Sequence, residues 1–133
     1  MEIARHRLER AHEALEEADV LIASRRSRGA LNRLYYAGFY AARALLATRD
    51  LDSSRHSGVI ALFQQHFVKT GAVPASVART LPRAFEARQT SDYADGANPS
   101  AEDVRDLRSD IEAFVVACAT VLEEAIRRPE NGR

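Results

Sequence analysis

Ala30-Leu31-Asn32-Arg33-Leu34-Tyr35-Tyr36-Ala37-Gly38-Phe39-Tyr40-Ala41-Ala42-Arg43-Ala44-Leu45-Leu46-Ala47-Thr48 decides the fold. Leu31, Leu34, Tyr35, Gly38, Ala41, Ala42 and Leu45 recur at steps of three and four, the period of one helix face. Tyr36, Phe39 and Tyr40 widen that stripe until it runs round most of the girth. A helix apolar on so many sides has to be covered on more than one of them. Ala37, Gly38, Ala41 and Ala42 let a neighbouring backbone come close, which fits either the middle of a bundle or a seam between two copies.

On the N-terminal side, Leu8, Ala11, Leu15, Ala18 and Ile22 keep the three-four rhythm from Ile3 to about Ser24, with Glu9, Arg10, Glu13, Glu16 and Glu17 opposite. That is an amphipathic helix. Arg25-Arg26-Ser27-Arg28-Gly29 interrupts it as a short connection. On the C-terminal side, the polar run Arg49 to Ser54 leads to a helix that begins between Ser54 and Ser57 and turns Val59, Ile60, Phe63 and Phe67 inward. Gly71, following Lys69-Thr70, is a natural stop, and Pro74 suits the first turn of the next helix. That helix holds Val77, Leu81 and Phe85, and Pro82 within it lacks a backbone donor, so a kink or break is expected there.

Ser91 to Pro99, with Asp92, Asp95, Gly96 and Asn98, reads as a loop. Ser100 then caps a final helix, with Asp103 three positions on as an acidic capping box. Val104, Leu107, Ile111, Phe114, Cys118, Val121 and Ala125 carry the rhythm to about Arg127, and residues 128–133 read as a disordered tail. No strand-like alternation appears. The expected fold is all-α, an up-and-down bundle of four to five helices over residues 1–127.

The 133 residues leave room for one core. Nineteen cations balance nineteen carboxylates, so no global field draws nucleic acid or an anionic membrane, and such binding would need a local patch. Only Lys69 among the cations is a lysine; the rest are arginines, the cation suited to bidentate pairing with phosphate or carboxylate. The lone Cys118 allows no internal disulfide, and no stretch resembles a signal peptide or a membrane span, so the expected address is the cytoplasm.

Motif-level chemistry is sparse. Glu9-Arg10-Ala11-His12 is a single Glu-x-x-His where a di-iron bundle uses two, and His12-Glu13-Ala14-Leu15-Glu16 ends in Glu where a zinc protease has His. No metal and no cofactor are expected. Cys118 lies on the apolar stripe of the last helix and reads as a small core residue. Arg88-Gln89-Thr90-Ser91-Asp92-Tyr93 gathers a guanidinium, a carboxylate and a phenol at a helix end. Such a set can hold a phosphate, or can simply clamp Arg88 to Asp92 one turn on. Arg55-His56-Ser57-Gly58 opens the third helix, where backbone amides favour anions; the plainer reading has Ser54 or Ser57 as a cap and His56 against the loop. Arg33, Tyr36, Tyr40 and Arg43 share another stripe, and arginine between aromatics fits either stacked nucleobases or a helix interface.

Four segments taken together resemble a known family. Asn32-Arg33-Leu34-Tyr35-Tyr36-Ala37-Gly38-Phe39-Tyr40-Ala41-Ala42-Arg43-Ala44-Leu45-Leu46, Arg55-His56-Ser57-Gly58-Val59-Ile60, Phe63 to Gly71 and Phe85 to Tyr93 are similar, in that order, to the HEPN domains of prokaryotes. The resemblance implies a helical bundle, commonly a homodimer, often encoded beside a minimal nucleotidyltransferase as a toxin–antitoxin pair. Many such proteins are metal-independent ribonucleases in which two Arg-x4-6-His motifs face each other across the dimer. Arg88 matches the motif arginine, but Tyr93 stands five residues later and no histidine follows it in the chain. The resemblance therefore implies a binding site for RNA or nucleotide formed by Arg88, Asp92, Tyr93, Arg55 and His56. Its catalytic candidates, were catalysis to survive, are Arg88, Tyr93 and His56. A bundle serving only for oligomerisation is the remaining alternative.

Overall fold

A computed structural model describes residues 1–93 and 99–127, with backbone alone at 91–93. Among these residues all regular structure is helical: α1 (Glu2–Ala23), α2 (Ser27–Ala47), α3 (His56–Phe63), α4 (Ala75–Ala78), α5 (Thr80–Tyr93) and α6 (Ala101–Arg127). The fold is the all-α bundle read from the sequence, with α4 a single turn leading into α5. The expected tail lies outside the described residues.

Every other long helix leans on α2, which buries 12 of its 21 residues. Contacts between side chains give the directions. Arg7 meets Arg43, Arg10 meets Tyr40 and Glu17 meets Arg33, so α1 runs antiparallel to α2. Phe85 lies against Tyr35 and Leu81 faces Gly38, so α5 also opposes α2. At Gly38 both α5 and α6 come close to the α2 backbone. A Cβ there would stand 3.1 Å from Ile111 Cδ1 and 3.2 Å from Leu81 Cδ1, so the missing side chain is what lets α5 and α6 settle on α2 together. Beside that crossing, Phe114, whose Cδ2 would lie 3.8 Å from the same Cβ, meets Phe63; Phe63 packs on Phe67 and on Phe114, with ring centroids 5.7 and 5.4 Å apart, and joins α3 to α6. Cys118 is fully buried on α6, and burial pushes its thiol well above the usual range, which makes it inert packing.

The helix ends follow local chemistry. α3 loosens into a π-helical turn, Gln64–Val68, before Gly71 ends the segment with φ +82°, the left-handed conformation that glycine adopts without strain. Lys69, just past the π turn, is exposed. The disturbance expected at Pro82 falls earlier in the chain: the helix breaks at Arg79, between α4 and α5. Pro82 thereby occupies the first turn of α5, where its absent N–H has no intrahelical partner to lose. Ser100 Oγ accepts the Asp103 N–H at 3.0 Å, the cap expected for α6. The loop expected over Ser91 to Pro99 does not begin at Ser91, because α5 runs on to Tyr93; residues 94–98 lie outside the described residues. Ser, Asp and Tyr each disfavour a helix by less than about 0.7 kcal/mol, too little to end one by themselves.

Filling the crossing tests this arrangement. Gly38→Val should cost about 1–3 kcal/mol or more through overpacking against Leu81 and Ile111, read as a lower urea midpoint with an unchanged slope.

Candidate functional site

The linker between α2 and α3 is held from two helices. Arg43 of α2 grips the Asp52 carboxylate through Nη2 and Nε, at 2.8 to 3.2 Å. Arg7 of α1 reaches Asp52 at 3.3 Å and donates to the Arg43 carbonyl oxygen at 3.1 Å. Burial works against the Asp52 charge, but the hydrogen bonds from Arg43 and the Ser53 N–H, with the charges of Arg43 and Arg7, hold its carboxyl below the usual carboxylate range. Ser53 next accepts the Arg55 N–H and sits so close to Gly58 that a Cβ there would collide with Ser53 Oγ and lie 2.9 Å from Ser53 Cβ. Neither Ser54 nor Ser57 caps α3; its N-cap is Arg55, in an extended conformation and with an exposed side chain.

These constraints point His56 into the bundle. Its ring lies 4.3 Å from the Phe39 ring centroid and 5.7 Å from that of Tyr35, on which it stacks. Tyr35, fully buried, meets His56 Nδ1 through its hydroxyl at 2.9 Å. Burial pushes the Tyr35 phenol up, so it keeps its proton at any physiological pH. Burial also lowers the affinity of His56 for a second proton, and the charges of Arg88 and Arg43 lower it further. The imidazole is therefore neutral near pH 7. One tautomer accepts the Tyr35 O–H at Nδ1 and offers Nε2–H; the other donates from Nδ1 to the phenol oxygen and leaves a lone pair on Nε2.

Arg88 completes the group from α5. Its guanidinium carbon lies 5.3 Å from the centroid of Tyr35 and the same distance from that of Tyr36, in cation–π range, and the residue is half-buried. Of the residues singled out in the sequence, Arg88 and His56 come together. Arg55 stays outside at the α3 N-cap, and the side chains of Asp92 and Tyr93 lie outside the described residues. Helical spacing puts Tyr35 on the apolar stripe, and nothing in that spacing separates a core tyrosine from one that holds a histidine 21 positions away. Tyr36, part of the Arg33–Arg43 stripe, carries Arg88 as well.

Arg33, Tyr36, Tyr40 and Arg43 do share one face, and a residue from α1 joins them. Arg10 donates to the Tyr40 hydroxyl at 3.0 Å, with its guanidinium carbon 4.8 Å from the ring centroid. Arg33 lies 5.1 Å from the Tyr36 centroid and bonds Glu17 at 3.0 Å.

Two measurements probe the His56 setting. In an NMR titration its ring signals should move below the ordinary histidine value of about 6.5, and Arg88→Gln should raise the midpoint partway back, because burial is the larger cause. The unfolded chain binds this proton more tightly, so the stabilisation from neutral His56 is complete above the unfolded value and is lost as pH falls through the folded one. Gly58→Ala should displace the first turn of α3 at a cost of about 1–3 kcal/mol and return the His56 midpoint towards the ordinary value.

A model of the HEPN domain matches residues 4–123. Among similar proteins, the "UPF0332 protein" of Thermotoga maritima is 40% identical over 118 residues, covering 89% of each chain. A Methanocaldococcus jannaschii protein named "Putative toxin MJ0605" is 32% identical over 119 residues, or 90% of this chain and 88% of its own. With the α2 core, the α3 start and the motif arginine on one bundle, and with that match across nearly the whole length, this chain belongs to the HEPN domain family.

Proposed function

We propose that this is a toxin-like HEPN protein, acting as a homodimer, whose Arg88–His56 site holds a phosphate of RNA or of a nucleotide, or meets a minimal nucleotidyltransferase partner. The observation that carries this reading is a guanidinium from α5 set over two tyrosine rings beside a neutral imidazole. Arginine supplies the charge and the planar donor fork for a phosphate, and the half-buried setting strengthens the attraction over that in bulk water. His56 in its Nε2–H form adds a neutral donor. The toxin names of two Methanocaldococcus jannaschii relatives support the same class of role. In purified protein, Arg88→Ala should weaken binding to RNA or to a nucleotide by roughly ten- to a hundredfold, as expected for a lost charge-assisted hydrogen bond. If wild type binds neither of these nor a co-expressed minimal nucleotidyltransferase, the reading is wrong. A lower melting temperature in Arg88→Ala with every affinity intact would favour an oligomerisation module instead.

A second reading, a metal-independent ribonuclease, draws on the position of His56. An imidazole from α3 stands beside the motif arginine, where the chain has Tyr93 in place of the motif histidine. With its proton on Nδ1 towards Tyr35, Nε2 is a general base for a ribose 2′-hydroxyl, and Arg88 offsets the charge that develops on the phosphate. Under this reading EDTA-treated protein cleaves RNA, and His56→Gln slows it by about 10²–10⁴-fold. RNA left intact by wild type rules it out.

A further inference from the structure

Arg88 is one end of a longer feature. Tyr36, on which it lies, also carries Arg33, and the Tyr36 and Tyr40 ring centroids are 5.7 Å apart on successive turns of α2. Tyr40 in turn carries Arg10 from α1. Three helices thus contribute guanidiniums to one row of two half-buried rings. The side chains of Arg10 and Arg33 remain 47% and 29% exposed, so the row reaches solvent.

We infer that this row, Tyr36 with Arg88 and Arg33 on it and then Tyr40 with Arg10, is a binding track for single-stranded RNA, leading the strand along α2 away from the Arg88–His56 site. The inference rests on the reading of that site as a phosphate-binding one, and extends it by naming the ligand's form and path. Aromatic rings and guanidinium planes both stack unpaired bases, and guanidiniums beside the rings meet the backbone that links those bases. The carboxylates on Arg10 and Arg33 are exposed Glu13 and Glu17, at 4.0 and 3.0 Å. Such surface pairs contribute little and give way to phosphate. Charge also favours this ligand. Arg7 and Arg43 adjoin the row and share Asp52, so with Glu13 on Arg10 and Glu17 on Arg33 these four arginines meet three carboxylates among the described residues, in a chain whose net charge is zero. Base-paired RNA hides the faces that the rings would take, so a duplex is the wrong form.

The test uses the full chain and fluorescein-labelled oligoribonucleotides without self-complementarity, two and twelve nucleotides long, followed by anisotropy at fixed salt. Wild type should bind the twelve-mer at least tenfold more tightly than the dinucleotide, and the annealed twelve-mer duplex more weakly than the single strand. Tyr40→Leu with Arg10→Gln should take roughly tenfold from the twelve-mer affinity and leave the dinucleotide unchanged, whereas Tyr40→Phe, which keeps the ring, should retain most of it. Thermal melting of each variant checks that the bundle is intact. A twelve-mer bound no better than the dinucleotide, or not at all, overturns the track. So does an equal loss for both lengths. Dissociation of a dimer by the double variant in sedimentation, with twelve-mer affinity untouched, means that a second copy covers this face and also overturns it. Failure of the site itself reads differently: dinucleotide binding would then be indifferent to Arg88→Ala.

Discussion

α2 cannot be left with a bare side. Its apolar residues run round so much of its surface that α1, α3, α5 and α6 must all pack on it, and the rest of the molecule is arranged to allow this. Gly38 leaves out a side chain that would crowd both α5 and α6 against α2. The Arg7–Asp52–Arg43 clamp brings the chain back across α2 at the right place for α3 to start. The candidate site is a by-product of that same coverage, because its rings are α2 residues on the border between core and surface. Tyr35 is wholly inside, Tyr36 half out, and the imidazole and guanidinium arrive from the two helices that close over them.

Much of this could be read from the chain alone. Alternating steps of three and four mark α1, α2 and α6, since a long amphipathic helix repeats its signal many times. Gly71 and Ser100 mark helix ends, since each satisfies a local backbone requirement. Shorter elements are less legible. Pro82 signals a disturbance without locating it, because a proline is as well accommodated in a first turn as it is disruptive further in. Ser91 and Asp92 carry turn chemistry, yet their preferences are weak beside the helix that continues through them.

At the site, legibility divides by distance along the chain. Arg88 and His56 stand out as polar residues near helix ends, and the spacing of Arg33, Tyr36, Tyr40 and Arg43 places them on one face. What no spacing reveals is which ring receives which cation, since Arg10 meets Tyr40 across 30 positions and Arg88 meets Tyr36 across 52. Such pairings exist only after the helices have packed. The same holds for the low proton affinity of His56, whose chief cause is the closure of the bundle around it.

The near absence of lysine has a practical side. Lys69 is the one side-chain amine in the chain, and it is exposed just past the π-helical turn. Thirteen residues separate it from His56, roughly 20 Å along a helix. A dye or affinity handle attached there by amine chemistry modifies one side chain only, beyond the end of α3 that lies away from the imidazole, and leaves every arginine of the site as it was.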